Sequence, residues 1–154
     1  MTKPSHREEL LNAGLKVMFR SGYQGASVRD ICAAAGAPQG SVALNAFRRI
    51  ADRWKLGREL RATLLAASPR SISRWQSENS APDLTRDQLE RISYILGIFS
   101  GLHAVLGDTP LADEWVQRPN ADFGDRTPLD RMLAGNVGDL AYVRAYVDRW
   151  AAGW

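Results

Sequence analysis

The clearest chemistry in this chain lies in a run of polar side chains between residues 70 and 76. A short helix that begins at Pro69 would turn Ile72 and Trp75 toward a core. Its opposite face would then present four side chains: Arg70, Ser71, Arg74 and Gln76. Arginine can donate two hydrogen bonds to guanine, glutamine can pair with adenine, and serine can bind a phosphate or a base. The face therefore has the composition of a DNA-reading helix, although exposed arginine and serine are equally compatible with a surface that contacts only water.

The elements that must position this face are predicted to form a helix-turn-helix within residues 42–80. The apolar residues of the two helices before the turn are Phe47, Ile50, Trp54 and Leu56, then Leu60, Leu64 and Leu65. Ala67 and Ser68 form the turn, and Pro69 opens the next helix. In this arrangement the helix after the turn enters the major groove while the helix before it crosses the backbone. Nearby arginines would supply phosphate contacts: Arg48, Arg49, Arg53, Arg58 and Arg61.

Charge is divided unevenly along the chain. Residues 1–40 carry 5 Lys/Arg against 3 Asp/Glu, a net +2, and residues 41–80 carry 8 against 3, a net +5. Residues 81–154 carry 7 against 11, a net −4. A basic segment attracts polyphosphate through counterion release, and an acidic segment is repelled by it. The two ends are therefore expected to bind different partners, although charge alone is also consistent with an unevenly charged surface that is only solvated.

Side chains that could carry catalysis are few and poorly arranged. His6 and His103 fall in different segments, and His103 lies on an apolar stripe, where a structural histidine is expected. Cys32 is the single cysteine, so the chain cannot form an internal disulfide or a cysteine-rich zinc site. Three aspartates cluster without calcium-loop spacing and are expected to cap helices or face a basic partner: Asp122, Asp125 and Asp130. We expect a binding protein that is not an enzyme and has no cofactor or metal.

A third helical region is predicted after the polar connector SENSAPDL. Thr85 and Gln88 form a capping box that starts a long helix. Apolar residues cover so wide an arc of this helix that it must be covered on more than one side, which makes it a candidate for a homodimer interface. A final helix is predicted to start at Asn136, and its apolar face continues through Leu140, Val143, Val147, Trp150 and Trp154. The predicted fold class is all-α.

The first 41 residues have the predicted order helix, glycine turn, helix, glycine turn, helix. The marked residues of this segment are Arg7, Ala13, Phe19, Gly22, Tyr23, Ser27, Val28, Ile31, Ala34, Gly36, Gly40 and Ser41. By these residues the segment resembles the opening of TetR-type repressors. The pattern stops there, because Val42 and Ala43 follow where the family places an aromatic residue, and the next lysine is Lys55. Residues 1–41 are therefore interpreted as a TetR-like helical fragment that either reads DNA or packs on its neighbour.

Residues 42–154 carry two sets of separately spaced marks. In the helix-turn-helix part, residues 42–80, they are Leu60, Leu64, Leu65, Ser68, Pro69, Ser71, Ile72, Arg74 and Trp75. In residues 84–154 they are Trp115, Pro119 and Asn120, then Pro128, Leu129, Asp130 and Met132, then Gly138, Val143 and Tyr146. By these marks residues 42–154 resemble the Xre/MbcA/ParS family of bacterial antitoxins, and residues 84–154 resemble its toxin-binding domain. Several separately spaced marks agree over one whole module, so the resemblance is specific.

The resemblance implies the antitoxin of a type II toxin-antitoxin pair. Such a protein binds its toxin through the C-terminal domain and represses its own operon by binding double-stranded operator DNA. In the family the C-terminal end reaches into the active site of the toxin, commonly a RES-domain enzyme that consumes NAD. By resemblance, Trp150, Gly153 and Trp154 would form this inhibitory plug, although Trp150 could instead belong to the core.

Two other functions stay open at this point. One is a stand-alone TetR-like regulator without a toxin partner, and the other is an interaction module that does not bind DNA. No apolar run reaches the ~18 residues of a membrane helix, and the N-terminus lacks the apolar stretch of a signal peptide. We therefore expect a cytoplasmic protein without a membrane partner.

Overall fold

A computed structural model describes residues 39–77 and 83–153 of the chain. The secondary structure of these residues is helical, as the sequence predicts, with one isolated bridge between Asn120 and Arg126. The helices are α1 (Gln39–Arg53), α2 (Arg58–Leu64), α3 (Pro69–Ser77), α4 (Arg86–Leu106), α5 (Pro110–Glu114), α6 (Pro128–Met132) and α7 (Val137–Ala151), with 3-10 turns at Trp115–Gln117 and Ala121–Phe123. The predicted helices before residue 39, together with His6 and Cys32, lie outside the described residues.

Helix α1 crosses residue 41, where the TetR-like fragment is predicted to end. It continues without a break from Gln39 to Arg53. Its apolar side, which includes Phe47 and Ile50, is fully buried. Trp54 and Leu56 follow the helix and are buried with it, so the apolar side predicted from their spacing is confirmed.

The predicted helix-turn-helix is present as α2 and α3, which pack against each other. The turn between them places Ala66 at a φ of 48°, in the left-handed region. Ile72 is buried and Trp75 is half-buried against the core, as predicted. Leu60 differs from the other apolar residues of α2 because it is 37% exposed, and Ala62 takes the inward position instead.

Helix α4 is the core around which α1 and α7 pack. The predicted capping box is confirmed: Gln88 N–H donates to the Thr85 hydroxyl and Thr85 N–H donates to the Gln88 side chain. Residues across the wide apolar arc predicted for this helix are buried: Ile92, Ile95, Leu96, Ile98, Phe99 and Leu102. By length and composition alone α4 could cross a membrane, but its apolar sides are covered by α1 and α7 within the fold.

Helices α4 and α7 approach closely at two glycines of α4. A Cβ at Gly97 would lie 1.7 Å from Nη1 of Arg144, and a Cβ at Gly101 would lie 2.5 Å from Cγ1 of Val147. Both distances are shorter than van der Waals contact, so neither position accepts a larger residue without movement of α7 or of its side chains. Gly101, which faces the short, branched side chain of Val147, therefore limits the spacing of the helix pair, whereas at Gly97 the neighbour is the flexible guanidinium of Arg144.

The segment between α4 and α7 contains α5, α6 and the two 3-10 turns. Gly107 ends α4 with a φ of 74°, and Gly135 precedes α7 with a φ of 101°. Asn136 is the N-cap residue of α7, and its N–H donates to the Asp139 carboxylate at 3.2 Å, so the final helix begins within one residue of the predicted start. The packing of this segment against α7 determines where the last turn of α7 lies.

Candidate functional site

The polar face predicted on α3 is exposed in the structure. Arg70, Arg74 and Gln76 are exposed, while Ile72 on the other side is buried. Ser71 differs from them because it is half-buried: its hydroxyl lies 2.9 Å from the hydroxyl of Ser68, and its N–H donates to that same Ser68 oxygen at 3.1 Å. These bonds satisfy backbone and side chain at the start of α3. Two arginines and a glutamine therefore form the accessible part of the face.

Three of the arginines predicted to contact phosphate make ion pairs within the chain, and one of them, Arg58, pairs with the neighbouring Glu59 at 3.6 Å. Arg53 bonds Asp108 at 2.8 Å and Asp113 at 2.9 Å. Arg61, with a side chain that is mostly buried, bonds Asp52 at 2.6 Å and donates to the carbonyl of Leu56. The guanidinium groups of Arg53 and Arg61 thus stabilise the fold, and phosphate contact by either of them would need its pair to rearrange.

His103 lies in the same ion-pair cluster as Arg53. Its side chain is only 7% exposed, with Nε2 3.1 Å from Asp113 and Nδ1 3.4 Å from Asp108. Its ring packs on Phe99 with a centroid distance of 4.1 Å. The hydrogen bond and charge of Arg53 lower the pKa of the Asp108 carboxyl below its ordinary value. The cluster fixes the α4–α5 turn against the end of α1, which gives His103 the structural contacts expected from its apolar stripe.

An aromatic cluster holds the last two turns of α7 against the segment before it. The Trp115 ring stacks on Tyr146 at 5.9 Å and lies 6.0 Å from the Trp150 ring. Phe123 meets Tyr146 edge-on at 5.1 Å and Tyr142 at 6.0 Å. Such offset and edge-on pairs add to the free energy gained from burial, by ~0.5–1.5 kcal/mol for each pair. The end of α7 is therefore held by packing on its inner side.

Polar bonds reinforce the aromatic cluster. The Tyr146 hydroxyl donates to Asp122 at 2.7 Å, and burial together with this bond raises the pKa of Tyr146. The Asn120 side chain accepts from the N–H of Asp122, so it caps the 3-10 turn that carries Phe123. Asp130 accepts from the N–H of Thr127 at the start of α6. Asp130 therefore caps a helix, as expected of this aspartate cluster, whereas the Asp122 carboxylate binds the Tyr146 hydroxyl instead.

The predicted C-terminal contact residues fall partly inside the described structure. Trp150 is half-buried, because its ring lies on Trp115. Ala151, Ala152 and Gly153 are exposed, and Gly153 adopts a φ of 76°, which favours glycine. Trp154 lies outside the described residues. The structure thus brings Trp150 and Gly153 to one exposed end of α7, with Trp150 fixed on its inner side.

Comparisons with known proteins match both halves of this architecture. Residues 34–97 match the model of the antitoxin Xre-like helix-turn-helix domain, and residues 101–153 match that of the antitoxin Xre/MbcA/ParS C-terminal toxin-binding domain. The chain belongs to the Xre/MbcA/ParS family of antitoxins. The match to the toxin-binding domain begins inside α4, so one continuous helix serves both modules of this antitoxin.

A relative of this antitoxin in Sinorhizobium fredii carries the description "Uncharacterized protein y4oB". The two are 39% identical over 111 residues, which is 71% of this chain and 84% of the relative. No solved structure gives a significant match to the antitoxin. The family assignment therefore rests on the two domain models, and neither domain belongs to an enzyme family.

One residue that joins the two modules of the antitoxin is missed by sequence reasoning. Arg91 on α4 is buried and donates to the carbonyls of Leu64, at the end of α2, and Gly135, before α7. Asp87 accepts from its Nε at 2.7 Å. The position of Arg91 within the apolar arc of α4 could have indicated that its side chain is buried. A buried arginine requires hydrogen-bond partners, so contacts to other elements would then have been expected.

Proposed function

We propose that this antitoxin inhibits its toxin through the exposed end of α7 and represses its own operon through α3. The observation that supports the first part is the geometry at Trp150 and Gly153, where an end anchored by aromatic packing leads into exposed small residues. An end held in place loses less conformational entropy on binding than a free one, so it is suited to enter an active site. Trp154 would follow as an aromatic contact of the kind enriched in interface hot spots.

The toxin proposed for this antitoxin is a RES-domain enzyme that consumes NAD. Support for this choice comes from the family resemblance of residues 84–154, with Trp150, Gly153 and Trp154 as the contact residues. The test is to co-express the antitoxin with the protein encoded by the adjacent gene. Growth rescue, a stable co-purified complex and restored cellular NAD are expected. Absence of a complex together with absence of rescue would exclude this function.

The DNA-binding part of the proposal is supported by the exposed guanidinium groups of Arg70 and Arg74 on α3. With Gln76 and Ser71 they would contact operator bases, in an assembly that we propose to be a homodimer in the cytoplasm. Changing Arg70 and Arg74 to alanine should abolish gel-shift binding to the antitoxin's own promoter fragment. In the unaltered protein, binding should weaken steeply with salt, because each phosphate contact releases a condensed counterion.

A second candidate function, a stand-alone regulator of TetR-like descent, makes a different prediction from the first. In that case, DNA binding should survive the change of Arg70 and Arg74 and should be lost when residues 38–45 are replaced. Burial of α1 limits the surface available there, because Val42, Ala43 and Leu44 are all buried. Binding that withstands the α3 changes would nevertheless favour this second function.

A further inference from the structure

The first turn of α7 contains a glycine that the fold of this chain does not require. Gly138 has no positive φ, and a Cβ built on it would meet no heavy atom of the described residues within 4 Å. Glycine is a poorer helix former than alanine, by up to ~1 kcal/mol in a helix interior. The position is also exposed. Its backbone is therefore open to close approach from outside, unlike Gly97 and Gly101, which α7 covers.

Gly138 starts a row of exposed residues along the outer side of α7. Tyr142, Ala145, Arg149 and Ala152 follow at spacings of four, three, four and three residues, so they share one helix face. Tyr142 is 42% exposed and is one of three large exposed hydrophobic residues in the described part of the chain. The row, which we call the outer face of α7, leads directly to Gly153. It is continuous with the end of α7 that is proposed to contact the toxin.

A pocket of about 310 Å³ adjoins this face beside Tyr142. Among the charged groups that line it, Arg131 bonds Asp139 at 2.8 Å and lies over the Tyr142 ring at 4.1 Å. The Asp122 carboxylate accepts a hydrogen bond from the Tyr146 hydroxyl. Arg126 is exposed and makes no side-chain hydrogen bond or ion pair with the described residues. The Asp130 carboxylate also lines the pocket and accepts from the Thr127 N–H, so the charge that the described residues leave unpaired there is that of Arg126, beside aromatic carbon.

We propose that the outer face of α7 and this pocket form a second contact area for the cognate toxin. The toxin backbone or small apolar side chains approach α7 at Gly138 and pack on Tyr142, and a toxin carboxylate pairs with Arg126. The inference rests on the proposed antitoxin function. It differs from the C-terminal contact because Gly138, Tyr142 and the pocket lie roughly three to four helical turns before Gly153, in the first half of α7. Contact at both ends of α7 would orient the terminal residues toward the toxin active site.

The test compares Gly138→Gln with Ala104→Gln, which adds the same side chain at an exposed position of α4. The full-length antitoxin and the protein encoded by the adjacent gene are purified. The second protein is separated from its complex and refolded, and calorimetry then measures the Kd for its binding to each antitoxin variant. Gly138→Gln should weaken binding on the order of tenfold or more, as loss of an interface hot spot does. Its Tm should not fall, because the new side chain meets open space. Ala104→Gln should bind as the unaltered protein does.

Unchanged Kd for Gly138→Gln would overturn the inference. If that variant does not fold by circular dichroism, Arg126→Glu decides, because reversing an exposed charge should weaken binding and an unchanged Kd would again overturn the inference. Loss of self-association in Gly138→Gln with toxin affinity intact would assign the face to a second copy of the chain. If the unaltered antitoxin forms no complex with that protein, the proposed function is refuted, and this inference, which depends on it, is refuted as well.

Discussion

Replacement of Gly101 by alanine would place a methyl group between α4 and α7. The new Cβ would lie 2.5 Å from Cγ1 of Val147, whereas two carbon atoms pack at about 3.5–4.0 Å. Val147 is fully buried and, as a β-branched residue in a helix, has one strongly preferred rotamer, so it cannot swing away. Overpacking of this kind costs about 1–3 kcal/mol. The better helix propensity of alanine returns up to ~1 kcal/mol, which leaves an expected net loss of up to about 2 kcal/mol relative to the unaltered protein.

A double-mutant cycle separates this clash from a general loss of packing. Val147→Ala alone leaves a cavity and should cost about 2 kcal/mol, whereas in the double variant the new Cβ at residue 101 occupies part of that space. The double variant should therefore be more stable than the sum of the single changes by at least ~1 kcal/mol. Urea unfolding measures each free energy, with Gly138→Ala as the control that meets no neighbour. Additive single changes, or a Gly101→Ala protein as stable as the control, would refute the proposed packing of α4 on α7.

Two further predictions concern the arginines that tie the modules together. Arg91→Met should lower the free energy of unfolding by about 2–3 kcal/mol, because the carbonyls of Leu64 and Gly135 lose their donor. A free energy of unfolding in urea that equals that of the unaltered protein would contradict this prediction. Arg53→Gln should reduce the acid sensitivity of stability. Arg53 lowers the folded-state pKa of Asp108 from 3.8, so this stabilisation is present above that pH and is lost as the pH falls through the lowered folded-state value. The stability difference between the two proteins should therefore shrink below about pH 4, and a gap that is constant with pH would count against the pairing.

Much of the fold could be predicted from periodicity and capping alone. The capping box at Thr85, the start of α7 at Asn136 and the inward turn of Ile72 follow from local sequence, and the structure confirms each of them. The wide apolar arc of α4 also predicted cover on more than one side. These features depend on residues within a few positions of each other, so one sequence is enough to find them.

The contacts of the candidate sites depend on residues far apart in the chain. The pairing of Arg53 with Asp113 spans 60 positions, and no local pattern indicates that this arginine is occupied by the fold. Trp150 shows the same limit, because its contact with Trp115 depends on the path of the intervening segment. Whether a predicted site residue is accessible therefore required the tertiary structure.

The central claim is that the end of α7 inhibits the toxin, and removal of only Gly153 and Trp154 tests it most directly. This deletion leaves the contact of Trp150 with Trp115 in place, so folding and promoter binding should be unchanged. The measurement is cellular NAD during co-expression with the protein encoded by the adjacent gene. We predict that NAD falls with the shortened antitoxin and is maintained with the full-length chain. NAD maintained equally by both proteins would contradict inhibition by the end of α7.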